Sequence, residues 1–373
     1  MKNKITLIYY LVLVSIFLFS CEIVTIFPDT QNAILYSRPT PILYSAKDTI
    51  SIMTWNIRFG ARRMKWFGDC CGDRVILSKN EIANGLRDVA EKIREINPDI
   101  LILQEVDKNS KRTGYIDQVQ FLLENTGMNY GAYGSMWQAQ IVPSDGIGRI
   151  DVGNAILSKF PISEVVRIQL PLISNQDALT RFFYLRRNML RAKIHIANHK
   201  DFVLINVHSD AFSTDGTKQK HINLFKQEID NAVSNGFDVI AGGDLNTLPP
   251  QTSITDFCIK DKCNGDSHVH GVEDNENPNV SNDKIKEGSH YTPEKTWLNN
   301  LYLNYKSAIS LEKYLANQSR YFTHSVGADT TLDRALDYLF TNTNWIAGSD
   351  TVRQDAKHIS DHLPVVVKWR VAK

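Results

Sequence analysis

Apolar positions recur along this chain with two different periods, and the switches between them mark out its elements. From Thr49 to Trp55 (TISIMTW), Ile50, Ile52 and Thr54 fall on every second residue, the period of a β-strand. Ser78-x-x-Glu81 then forms a capping box, in which a hydroxyl and a carboxylate satisfy unpaired amides at a helix start. The helix it predicts carries Ile82, Leu86, Val89, Ile93 and Ile96 on one face, at spacings of 4, 3, 4 and 3, and Pro98 stops it. Ile100–Leu103 follows as an unbroken apolar run, the pattern of a strand buried on both faces. A second helix has Ile222, Phe225, Ile229 and Val233 on one face and Gly236 as its stop. It lies between predicted strands Phe202–Val207 and Asp238–Ala241, and Asn154–Leu157, Leu190–Ile196, Leu336–Phe340 and Leu363–Trp369 read as further strands. Strands alternating with helices indicate an α/β domain whose sheets are covered by helices.

Three segments stand outside this pattern. In residues 1–20, Lys2 and Lys4 precede the almost wholly apolar Ile5–Phe19. That run is short for a membrane span, which needs roughly 20 residues. It has the composition of a secretory signal peptide. Its end, Leu18-Phe19-Ser20-Cys21, resembles a bacterial lipoprotein box, in which the cysteine becomes the lipidated first residue. A plain signal peptide and an uncleaved anchor are the competing readings. Residues 21–48 carry Pro28, Pro39 and Pro41 without periodicity and read as lipidated Cys21 followed by a tether. The domain then covers 49–373, with Asn264–Lys295, rich in Asp, Asn, His and Gly, as a polar surface insertion. The expected product is an exported monomeric lipoprotein held by Cys21 at the outer membrane, in the periplasm or on the cell surface.

Composition narrows the partners. The 42 basic and 41 acidic residues lose Lys2 and Lys4 with the leader, which leaves 40 against 41. This is not the basic surplus with which a protein holds a nucleic-acid backbone. Export would permit disulfides among Cys70, Cys71, Cys258 and Cys263, the last two near enough to close a small loop. Free thiols are the alternative, and no CxxC pair supports zinc.

Candidate chemistry sits where apolar runs end: Met53-Thr54-Trp55-Asn56, Ile102-Leu103-Gln104-Glu105, Asn206-Val207-His208-Ser209-Asp210, Gly242-Gly243-Asp244-Leu245-Asn246, Leu336-Asp337-Tyr338 and Ser360-Asp361-His362-Leu363-Pro364. Each alone has a bland explanation. Glu105 could end a solvated strand, GDLN could be a turn, His208 a structural histidine and SDH an ordinary loop. Together they supply four carboxylates, two carboxamides and two histidines. That is the ligand set of a hard divalent cation with groups for proton transfer. Phosphoester hydrolysis needs these parts: charge neutralisation, an oriented water and a protonated leaving oxygen.

In order and identity these motifs resemble the endonuclease/exonuclease/phosphatase family, with its pancreatic-type deoxyribonucleases, exonuclease III-type nucleases, neutral sphingomyelinases and inositol polyphosphate phosphatases. The match runs from about Ile50 to Trp369. The resemblance implies a DNase I-like four-layer α/β sandwich, two central and mostly antiparallel sheets flanked by helices. It implies Mg²⁺ as cofactor, with Mn²⁺ as an alternative. Glu105 resembles the main metal ligand, with Asn56 beside it and Asp361 as a further ligand. His362 resembles the essential catalytic histidine and Asp337 the carboxylate that orients it. Asp244 and Asn246 resemble the pair that orients water and grips phosphate. His208 resembles the second histidine of the nuclease and sphingomyelinase branches, and Arg191 a phosphate-binding basic residue.

Substrate choice would lie in loops: Gly60–Asp73 with Trp66-Phe67, Met136–Gly148, Thr180–Asn188 (TRFFYLRRN) and Tyr321–His324. In TRFFYLRRN, aromatics beside Arg181, Arg186 and Arg187 could stack a base and hold phosphate, or simply pack. The expected substrate is a phosphoester in a nucleic acid, a nucleotide or a phospholipid head group. A sphingomyelinase-like phosphodiesterase is the alternative, and a catalytically silent surface-binding lipoprotein the reading from another class.

Overall fold

The computed structural model describes residues 23–67, 72–211, 213, 215–255, 257, 292–326 and 330–372. The leader, Cys21, the four remaining cysteines and most of the polar insertion lie outside these residues. Among them the strands run, in chain order, β1 (Thr30–Asn32), β2 (Ile34–Ser37), β3 (Thr49–Asn56), β4 (Ile100–Asp107), β5 (Tyr130–Val142), β6 (Gly146–Ser158), β7 (Ile162–Gln169), β8 (Asn188–Ile194), β9 (Phe202–His208), β10 (Asp238–Asp244), β11 (Lys306–Ser307), β12 (Asp337–Thr341), β13 (Thr351–Val352) and β14 (Val365–Arg370). The α-helices are α1 (Lys79–Ile96), α2 (Gln118–Asn125), α3 (Ala178–Phe183), α4 (Thr217–Ser234), α5 (Asn299–Asn304) and α6 (Leu311–Ala316). None is long and apolar enough to cross a membrane among the described residues.

These strands form two seven-stranded sheets, ordered β13-β14-β3-β4-β6-β5-β2 and β1-β7-β8-β9-β10-β12-β11. Only β3–β4 and β9–β10 are parallel pairs. The sheets face each other over Ile50, Ile52, Ile100 and Ile102 on one side and Leu190, Leu204, Ile240 and Leu339 on the other. β4 and β9 are buried on both faces because each also carries a helix layer. Leu101 and Leu103 pack under Ile82, Leu86, Val89 and Ile93 of α1, and Val203 and Ile205 under Ile222, Phe225 and Ile229 of α4. The four-layer sandwich is borne out.

Local signals act as the sequence suggests. The capping box forms, with the Glu81 amide donating to Ser78 Oγ at 3.3 Å and the Ser78 amide to Glu81 Oε2 at 2.9 Å. α1 closes with Asn97 in the left-handed region (φ 52°), just before Pro98. Each buried α1 side chain contributes roughly 1.5–3 kcal/mol of transfer free energy.

Part of the segment read as a tether belongs to the fold. β1 pairs with β7 in one sheet, and β2 with β5 in the other. Residues 30–37 therefore cross the open edge of the sandwich and cover the unpaired groups that an edge strand would leave. Their short polar alternation is too weak a signal to distinguish a strap from a linker. β5 and β7 were also illegible as strands. Gly131 and Gly134 break the alternation of β5, and a register shift between Ser163 and Val166 breaks that of β7.

Candidate active site

The polar strand ends meet at one end of the sandwich, on the seam between the sheets. β10 lies between β9 and β12, and its register sets Asp244 opposite His208 on one side and Asp337 on the other. Two glycines permit that fit. A Cβ at Gly242 would stand 2.0 Å from the Tyr338 carbonyl oxygen, and one at Gly243 2.0 Å from that of Val207. The other sheet brings Asn56 at the end of β3 and Glu105 on β4. β4 bulges between Leu103 and Val106, and Glu105 has φ 53°. A left-handed conformation costs a residue with a side chain roughly 1–2 kcal/mol. Here it turns the carboxylate out of the ladder and into the seam. Asn56 Nδ2 then donates to Glu105 Oε1 at 3.2 Å and to Asp244 Oδ2 at 3.1 Å, which links the acids of the two sheets.

Asp361 and His362 stand on the loop before β14. The loop is pinned by Ser360 Oγ donating to the Asn56 carbonyl (2.8 Å), Trp55 Nε1 donating to the His362 carbonyl (2.9 Å) and the Leu363 amide donating to the Thr323 carbonyl (2.7 Å). His362 Nδ1 donates to Asp337 Oδ2 at 2.9 Å, and Thr323 Oγ1 donates to the same oxygen at 2.7 Å. His362 Nε2 points at Asp244 Oδ2, 3.6 Å away. Burial favours the neutral ring, but Asp337 and Asp244 outweigh it and hold the His362 pKa at about 10. Asp244 is fully buried. Burial, with the neighbouring Asp337 charge, pushes its carboxyl up to about 7, against the pull of His362 and the hydrogen bonds from Asn56 and Asn246. Asn246 has φ 48°, and its amide donates to Asp244 Oδ1 at 2.9 Å, leaving Oδ2 toward the seam.

His208 completes the group, with Nε2 3.4 Å from Asp244 Oδ2 and 4.0 Å from Glu105 Oε1. Arg187 Nη1 lies 3.0 Å from its Nδ1 and 2.8 Å from its Nε2. Arg187 can only donate, so the ring nitrogen that accepts from it carries no hydrogen. Burial first, then the charges of Arg187, His362 and His221, keep this ring neutral. One site thus holds a charged histidine and a neutral one.

Asn56, Glu105, His208, Asp244, Asn246, Asp337 and His362 are therefore brought together. Three expectations need correction. Arg191 does not reach the site. It lies on the outer face of β8, opposite Ile205, and pairs with Glu228 of α4 at 3.0 Å. The basic residue beside His208 is Arg187, four residues earlier in the chain and about 13 Å away at roughly 3.3 Å per residue. Asn56 is not placed as a metal ligand, because its Oδ1 accepts from the Arg58 amide at 3.0 Å and a donor, Nδ2, faces the acids. The Asp361 carboxylate lies 3.1 Å from Arg58 Nε; burial alone would raise its pKa, but Arg58, His362, Arg63 and the Ser360 hydroxyl together hold it low. In TRFFYLRRN, Phe183 packs into the cluster of Val24, Ala139, Val142 and Ile150, while Arg181 and Arg186 donate to backbone carbonyls.

A hard divalent cation fits this donor set. Glu105, Asp244 and Asp337 bring three carboxylates to the seam, and buried Asp337 Oδ1 has no hydrogen-bond partner among the described residues. Asp244, Asp337 and His362 each offer a ligand atom within 4.8 Å of the others. That trio is the weaker cation site, because its histidine holds a proton. Glu105, half-buried and turned toward the seam, would be the stronger ligand.

A model of the Endonuclease/Exonuclease/phosphatase family matches residues 53–362, a span that includes each of the acids and histidines above. Among solved structures, an endonuclease/exonuclease/phosphatase from Beutenbergia cavernae is 18% identical, with a TM-score of 0.54, covering 87% of this chain and 72% of its own. The human Nocturnin catalytic domain with bound sulfate anion is 16% identical (TM-score 0.48, 91% and 98% covered). TDP2 of D. rerio, complexed with single strand DNA product, is 14% identical (TM-score 0.46, 86% and 99% covered). Likeness at this level is likeness of fold. No curated protein matches the sequence.

Proposed function

Because this chain belongs to the Endonuclease/Exonuclease/phosphatase family, we propose that it is a divalent-metal-dependent phosphoester hydrolase, exported and anchored through Cys21. The observation that carries the catalytic reading is the Asp337–His362 pair standing over Asp244, with Glu105 and Asn56 closing the group from the other sheet. Mg²⁺ or Mn²⁺, held chiefly by Glu105, would neutralise phosphate charge.

The residues divide the remaining work. His362 keeps its proton at neutral pH and presents Nε2–H to a phosphoryl oxygen, stabilising charge as it develops. Asp244, with a pKa of about 7, is poised to take a proton from an attacking water. Asn246 fixes which oxygen of Asp244 does so. His208 sets a neutral ring on the other side of Asp244, and Arg187 against it adds fixed positive charge.

The test is hydrolysis by the full chain of plasmid DNA, RNA, bis-p-nitrophenyl phosphate, p-nitrophenyl phosphate, sphingomyelin and inositol phosphates, with Mg²⁺, Mn²⁺ or EDTA. Turnover of one class, absent in EDTA and abolished in a folded His362→Ala variant, is expected. Activity in that variant would overturn the assignment.

A further inference from the structure

Beyond the site, one region carries apolar side chains that the core does not use. Past Asp107, where β4 ends, β5 and β6 go on pairing with each other as an arm from Gln138 to Asp151. The chain's first described residues lie along it. Val24 bridges Ala139, the Thr25 amide donates to the Gln138 carbonyl at 2.8 Å, and the Gln140 amide to the Ile23 carbonyl at 2.9 Å. α3 packs on the same arm through Phe183. On these three segments Ile23, Ile26, Ile141, Ile147, Leu179 and Phe182 face solvent, six of the fifteen exposed large hydrophobic side chains among the described residues. Ile147 is 83% and Leu179 70% exposed. Isolated surface apolar groups need no explanation, but a gathering on one projection marks a contact surface.

The polypeptide itself names the occupant. Ile23 is fixed on the arm, and Cys21 stands two residues before it in the sequence. Two extended residues reach roughly 7 Å. A lipid on Cys21 that enters a bilayer therefore holds the arm against that bilayer. We propose that the distal β5–β6 arm, residues 23–26 and α3 form a bilayer-contact surface, an inference that rests on reading residues 1–20 as an export leader and Cys21 as the lipidated anchor. The surface adjoins the site. The Arg186 amide donates to the Met136 carbonyl at 2.8 Å, and Arg187 touches His208.

The test uses the full chain in phosphatidylethanolamine–phosphatidylglycerol vesicles with brominated acyl chains, which quench indoles that enter the bilayer. Tryptophan is introduced as Ile147→Trp on the arm or as Leu303→Trp on α5. Leu303 is 81% exposed and lies by β11, at the opposite edge of its sheet from β1. The emission added at 147 is expected to be quenched at least about twofold more strongly than that added at 303, since interfacial side chains sit several ångströms below the head groups. Equal quenching would overturn the surface. A chain that does not float with the vesicles would overturn it together with the anchor. Turnover of bis-p-nitrophenyl phosphate is read on the same samples, so a failure of the catalytic assignment stays distinct from either result.

Discussion

Asp337→Asn tests the charge arrangement at its most heavily used point. The folded protein keeps His362 protonated up to about pH 10, against an ordinary 6.5. At about 1.36 kcal/mol per pH unit, that difference is roughly 5 kcal/mol of preference for the imidazolium. Burial opposes it, so the neighbouring carboxylates together supply more than this, and Asp337 is the largest contributor. An amide in its place can still accept from Thr323 or from His362 Nδ1, but it brings no charge. The ring should then titrate at least about two pH units lower and be at least half neutral near pH 8. The expected kinetic loss at that pH is roughly 10²- to 10⁴-fold in kcat, the range for a misassigned catalytic histidine. The assay is kcat/KM for a soluble diester from about pH 5 to about pH 11 at fixed Mg²⁺, where the basic limb reports the acid. Stability carries the same sign. A raised folded pKa on His362 contributes stability that is fully present below about 6.5 and lost as pH rises through about 10. The melting-temperature gap between wild type and variant should therefore be widest in acid and close in strong base. A basic limb unmoved by the substitution would refute the imidazolium as the working form.

Two further substitutions separate cation from base. Glu105→Gln preserves shape and an acceptor for Asn56 but removes the charge; Mg²⁺ affinity, read by calorimetry, should fall by at least roughly tenfold. Unchanged affinity would instead place the cation on Asp244 and Asp337. Asp244 has a folded pKa of about 7 against 3.8 unfolded, so its contribution to stability declines as pH rises through that interval. Asp244→Asn should therefore melt higher than wild type in EDTA near pH 8 while losing turnover by roughly 10³-fold. A lower melting temperature would contradict the buried, raised carboxyl.

Much of the fold was legible because helix signals are local and redundant. The Ser78–Glu81 box, the apolar face of α1 and Pro98 all agree on one element. The catalytic strands were legible as apolar runs, and each ends on the chemistry: β3 at Asn56, β9 at His208, β10 at Asp244. What escaped depends on tertiary partners. The β1–β2 strap has no core face of its own, and its pairing exists only once both sheets stand side by side. Arg191 and Arg187 show the same limit at the site. Both are basic and near His208 in the chain, and only strand parity and direction decide between them. Since β8 runs antiparallel to β9, its first residues, not its middle, lie beside His208. The roles of Thr323 and Arg58 were equally hidden, because each acts through a neighbour identified only in three dimensions.

The site exists only if the two sheets keep their alignment, since Asn56, Glu105 and His362 come from one and His208, Asp244 and Asp337 from the other. Apolar packing alone is a weak guarantee, because methyl-lined faces can slide with small loss. Between the sheets, next to Glu105, lies a feature of a different kind. Buried Gln104 Nε2 donates to Asn206 Oδ1 at 2.7 Å, and Asn206 Nδ2 donates to the Leu103 and Ala155 carbonyls at 2.9 Å each. These bonds join β4 and β6 of one sheet to β9 of the other, two residues before His208. A shift of one sheet over the other would leave buried amides unpaired, at roughly 1–3 kcal/mol for each lost partner. The alignment that brings Glu105 toward Asp244 is thus enforced by directional bonds beside the site rather than by the core as a whole. The strained φ of Glu105 has the same origin, since the bulge that turns its carboxylate into the seam is held between Leu103 and Val106, both fully buried.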